Sequence, residues 1–64
     1  MKKYALLSLL HGANRVLADC YAKDFAGALA KFRMLHPVLC LNAEGYAKNM
    51  DITYCIAEYY DATH

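Results

Sequence analysis

The chain has 64 residues, 59% of them hydrophobic, and seven lysines and arginines against six aspartates and glutamates give a net charge of +1. So short a chain forms a single domain, residues 1–64, and buries only about 60% of the surface it exposes when unfolded, so so high an apolar content leaves apolar surface over for a partner. Near-balanced charge without long runs of one sign excludes a DNA-mimicking acidic surface and a basic nucleic-acid patch.

The first ten residues, MKKYALLSLL, set two lysines before a short apolar run, as a signal peptide does, and the LADC stretch at 17–20 resembles a lipoprotein cleavage site. The run ends at His11, however, and Asp19 is a poor residue to precede a lipidated cysteine. The expectation is an uncleaved cytoplasmic chain without a membrane span, which needs about 20 apolar residues. Cys20, Cys40 and Cys55 are odd in number and form no C-x-x-C pair, so free thiols in a reducing compartment are expected rather than a disulfide framework.

Residues 3–22 read as a hairpin turning on Gly12-Ala13, since Gly12 takes positive φ without strain and Asn14 tolerates it. That register pairs Leu10 with Arg15, Ser8 with Leu17, Leu6 with Asp19 and Tyr4 with Tyr21 on one face. Ala5, Leu7, Leu9, Val16, Ala18, Cys20 and Ala22 form the other face, apolar enough to lie under a helix. A slip of one residue inverts the assignment. An all-helical fold is the competing reading, because eleven alanines and nine leucines favour helix; Gly12 and Asn14 weaken it.

The clearest element lies within residues 23–37, KDFAGALAKFRMLHP. Phe25, Ala28, Leu29, Phe32 and Leu35 fall on one stripe of an α-helix. Asp24 stands at the N-cap position, and Pro37 ends the helix. Residues 38–41, VLCL, read as a short strand and 42–49 as a loop pivoting on Gly45. Residues 51–60, DITYCIAEYY, read as a closing strand in which Ile52, Tyr54 and Ile56 face one way and Thr53, Cys55, Ala57 and Tyr59 the other. The expected fold is α+β: a small antiparallel or mixed sheet in the order β-β-α-β-β, with one helix on one face. A right-handed crossover would make the second and third strands parallel, with the first between them.

A single helix covers one side of the sheet, so the other side is the candidate interface. On this register it carries Tyr4, Leu6, Leu10, Arg15, Leu17 and Tyr21, joined by Tyr59. A second copy is the expected cover, as a homodimer or higher oligomer; the competing reading is the inside of a monomer core. Tyrosine, with its ring and its hydroxyl, suits protein interfaces and also base stacking, so a nucleotide ligand held by tyrosine and Arg15 is the alternative to a protein partner. No cofactor or metal site is expected: His36 and Cys40 straddle Pro37 and lack further ligands at familiar spacing. Glu44 and Glu58 make no acid–base pair, and Gly27 and Gly45 make no phosphate loop.

The stretch YAKDFAGALAKFRMLHP, residues 21–37, resembles a pattern in small proteins of phages and other mobile elements, where a strand turns into a helix closing in His-Pro. That resemblance implies a stoichiometric binder, such as an inhibitor of a host defence factor, rather than an enzyme. Some such proteins sequester nucleotide signals instead.

Overall fold

The computed structural model describes residues 1–59. Two strands, β1 (Lys2–Leu10) and β2 (Ala13–Ala22), lead into helix α1 (Phe25–Leu35) and a turn of 3₁₀ helix at Pro37–Leu39; strands β3 (Ala47–Asn49) and β4 (Ile52–Glu58) follow. The strands form one antiparallel sheet in the order β2-β1-β4-β3, with α1 against it, a small α+β fold. Among the described residues no helix is long and apolar enough to cross a membrane.

The helix follows its local signals. The Asp24 carboxylate accepts from the Gly27 amide at 2.9 Å, satisfying one of the free donors of the first turn. At the other end the His36 amide donates to the Phe32 carbonyl before Pro37 stops the helix. Ala28, Leu29 and Phe32 are buried and Phe25 is half-buried, whereas Leu35, expected on the same stripe, is 59% exposed. Leu35 lies on the last turn, past the sheet residues that cover the rest.

The hairpin departs from expectation in its turn. His11 and Gly12, rather than Gly12 and Ala13, form the two-residue connection, with φ of 50° and 81°, and paired positive φ matches the twist of the flanking strands. Leu10 therefore opposes Ala13 and Ser8 opposes Arg15, and a β-bulge at Leu17 shifts the remaining pairs so that Leu6 faces Ala18, Tyr4 faces Cys20 and Lys3 faces Tyr21. The bulge has a physical reason. Without it the same turn would set Asp19 opposite Tyr4, inside the core, and an unpaired buried carboxylate costs several kcal/mol. With it, Asp19 and Tyr21 swing to the outer face, and the small Ala18, Cys20 and Ala22 take their places under the helix.

Tyr4 and Leu6, expected on the uncovered face, are thus core residues, 3% and 0% exposed, packed with Ala22, Ala28, Leu29, Phe32 and Leu41. The Tyr4 ring meets Phe25 edge to face. Tyr54 and Ile56 of β4 complete this side, as their alternation predicts.

Residues 38–41 are not a strand. Pro37 starts a 3₁₀ turn instead, Cys40 takes a left-handed conformation, and the segment straps Leu41 into the core. Arg33 fixes the strap by donating Nε and Nη2 to the Leu41 carbonyl at 3.1 and 2.9 Å. The Asn42 side chain then accepts from the amides of Glu44 and Tyr46, forming the turn at Gly45. The third strand is Ala47–Asn49, joined to β4 through Met50-Asp51. The strand that runs parallel to β2 across β1 is consequently the last one, β4. Tyr60, at the end of the expected closing strand, lies outside the described residues.

Candidate sheet-face interface

Strand alternation places Lys3, Ala5, Leu7 and Leu9 of β1 on the side away from α1. Their register partners share that side: Tyr21, Asp19, Val16 and Asn14 from β2, and Ala57, Cys55 and Thr53 from β4. Tyr59 joins them, its amide donating to the Lys3 carbonyl. The face is therefore a grid of four rows across three strands. Tyr21, Lys3 and Tyr59 form the first row, Asp19, Ala5 and Ala57 the second, Val16, Leu7 and Cys55 the third, and Asn14, Leu9 and Thr53 the fourth.

The middle of this grid is apolar and uneven. Ala5 is 1% exposed, whereas Val16 is 52% exposed. Leu7, Leu9, Cys55 and Ala57 are half-buried. In the second row Ala5 is closed to solvent between the exposed Asp19 and the half-buried Ala57, and in the third row Val16 stands out furthest.

The first row is differently built. The Lys3 ammonium lies 5.7 Å from the Tyr21 ring centre and 5.1 Å from that of Tyr59, within the range of a cation–π contact. Two rings thus bracket one charge. The backbone carbonyl of Tyr21 accepts from the Lys31 ammonium, tying this end of the edge strand β2 to the helix. Lys2, which points to the helix side, pairs with Glu58 at 3.8 Å.

Of the residues expected at the interface, the fold brings Tyr21 and Tyr59 together on the open face. Tyr4 and Leu6 are in the core, as described. Leu10, Arg15 and Leu17 lie on the helix side, at the hairpin end beyond the helix, where with Ile52 and Tyr54 they line a shallow concavity of about 290 Å³. Arg15 is therefore across the sheet from Tyr21 and Tyr59 and cannot share a ligand with them. Ala5, Leu7, Leu9 and Val16, expected under the helix, lie on the open face instead, and Lys3 joins them; Cys55 and Ala57 share the face of Tyr59 as expected. Asp19 is on the open face as expected, but its partner across the hairpin is Ala5 rather than Leu6, and that one-residue difference decides which side of β1 goes with it.

Burial raises the Tyr4 phenol above its ordinary pKa, and the nearby Glu58 carboxylate adds to the shift. Among the described residues no three His, Cys, Asp or Glu side chains gather as metal ligands would. Compared with protein-family models, curated proteins and solved structures, the chain gives no match.

Proposed function

We propose that the chain is a non-enzymatic binding protein whose working surface is the open face of the sheet. The observation that carries this reading is the apolar centre of that face, formed by Ala5, Leu7, Leu9, Val16, Cys55 and Ala57 with no covering segment among the described residues. Contiguous apolar patches of this kind mark protein contact sites, and the tyrosines at one end have the mixed character that interfaces favour. Inhibition of a host factor by protein–protein contact, which the resemblance of residues 21–37 implies, would use this same face. Three free thiols suit a reducing, cytoplasmic setting.

The test is site-specific photo-crosslinking in cells that express the chain. A benzophenone side chain at Val16, on the face, should capture a polypeptide, whether a second copy or another protein. One at Ala30, on the exposed side of the helix, should not. Equal capture from both positions, or none from Val16, would refute the assignment.

A second reading rests on the first row. Lys3 between Tyr21 and Tyr59 offers two stacking rings and a phosphate-binding charge, the parts needed to hold a nucleotide. It predicts that nucleoside phosphates raise the melting temperature and that Tyr59→Ala abolishes the increase; no shift with any nucleotide would dismiss it.

A further inference from the structure

The concavity on the helix side, at the hairpin end of the sheet, joins a polar row to an apolar rim. We infer that it binds a small monocarboxylate with an apolar body, the carboxylate at Arg15 and the hydrocarbon among Leu10, Leu17 and Ile52. The site lies across the sheet from the open face and does not depend on what that face contacts.

The strand register builds the polar row. Ser8 pairs with Arg15 on one side and with Tyr54 on the other, so a guanidinium, a hydroxyl and a phenol stand across three adjacent strands, about 5 Å apart. The short Ser8 is the middle member, flanked by the two longer side chains, and all three line the concavity. No Asp or Glu lines it, and among the described residues no carboxylate pairs with Arg15. A cation beside two hydroxyls with no acid opposite calls for an anion. One cation matches a single negative charge, and a carboxylate has the planar form that the guanidinium fork holds through two bonds, with lone pairs left for the hydroxyls.

The rim sets the rest of the ligand. Leu10 and Leu17 are 37% and 42% exposed and Ile52 is half-buried, so an apolar body gains by covering them. With about 30 Å³ for each non-hydrogen atom, as for liquid water, the 290 Å³ of the concavity takes on the order of ten atoms. That is an acid of roughly eight carbons, and water can fill the same space in the free chain.

The end of a peptide fits less well. Extended peptides are held by backbone bonds along a free sheet edge, whereas the row is centred on β1, which has a strand on either side.

Octanoate is the probe. Added to the full chain, it should bind with a Kd on the order of 1 mM, as about ten atoms allow. It should move the amide resonances of Ser8, Arg15 and Tyr54 and give intermolecular NOEs to the Leu10 and Leu17 methyls. Octanamide, alike in size but uncharged, should bind roughly ten-fold more weakly. Arg15 is exposed, so Arg15→Gln should keep the wild-type fold and lose octanoate affinity by a similar factor. Equal binding of octanamide, unchanged affinity in Arg15→Gln, or NOEs to the Leu7, Leu9 and Val16 methyls on the other face would each overturn the inference. Inorganic phosphate displacing octanoate at equal concentration would overturn the carboxylate assignment. An N-acetylated peptide ending in leucine that binds about ten-fold more tightly than octanoate would make the occupant a peptide end and overturn the small-molecule one.

Discussion

Gly45 and Gly12 separate backbone strain from packing within this one small fold. Both have left-handed φ, +76° and +81°, but a Cβ at Gly12 meets nothing within 4 Å, whereas one at Gly45 would lie 2.8 Å from Phe25 Cζ and 3.0 Å from Ile56 Cδ1. Placing alanine in that conformation costs about 1–2 kcal/mol at either site. At Gly45 the inserted methyl must also displace two core side chains, adding about 1–3 kcal/mol of overpacking. The expected losses are therefore ~1–2 kcal/mol for Gly12→Ala and ~2–5 kcal/mol for Gly45→Ala. A chain of this length has only about 3–10 kcal/mol in all, so the second variant approaches unfolding. Urea titration followed by circular dichroism measures both, and unchanged slopes would show that the denatured states are comparable. Equal midpoints for the two variants would refute the packing of the 42–45 turn onto Phe25 and Ile56, and with it the strap that closes this end of the core.

Three further outcomes follow from local geometry. Asp24→Ala removes the bond to the Gly27 amide and should cost about 1 kcal/mol in the same titration. Met50 holds φ of 58° at the β3–β4 turn while 88% exposed; Met50→Gly relieves that conformation and should raise the urea midpoint, by roughly 1 kcal/mol of stability. The raised Tyr4 pKa means that the folded chain holds the phenolic proton more tightly than the unfolded one. Stability is therefore full below the ordinary phenol value of about 10 and falls as pH rises through the raised one. Melting temperatures taken across alkaline pH should show this decline in the wild type and a shallower one in Tyr4→Phe.

What could be read from the chain was what neighbouring residues settle among themselves. Asp24, the Phe25–Phe32 stripe and Pro37 define a helix without reference to anything distant, and the helix is where they place it. The alternation of Ile52 to Tyr59 likewise survives, because every second residue of a strand shares a face whatever lies beside it. The hairpin register was not legible in this way. It depends on a turn at His11-Gly12, where histidine adopts the conformation more usual for asparagine or glycine, and on a bulge at Leu17 that has no sequence signature of its own. A residue inserted at that point changes which side of β1 lies with Ala18, Cys20 and Ala22 under the helix, and it moved Tyr4 and Leu6 from the expected interface into the core. The third strand escaped notice for a related reason: three residues, Ala47–Asn49, are too few to show a period, and the apolar VLCL stretch was the more conspicuous segment.

The open face also follows from a mismatch of lengths. Eleven helical residues span about 16 Å, whereas the nine residues of β1 span about 30 Å. The helix can therefore shield only part of one side of the sheet, and it sits where Tyr4, Leu6 and Ala22 are buried. Toward the hairpin tip neither side of the sheet has a covering segment among the described residues: Leu10, Leu17 and Tyr54 lie around the concavity on the helix side, Leu7, Leu9 and Val16 on the other. Those two surfaces are not equivalent. The concavity is short and carries the Arg15 charge, so water can serve it. The open face runs the whole length of β1 with its charges confined to Lys3 and Asp19 near one end, leaving Leu7, Leu9 and Val16 as its apolar part toward the hairpin tip.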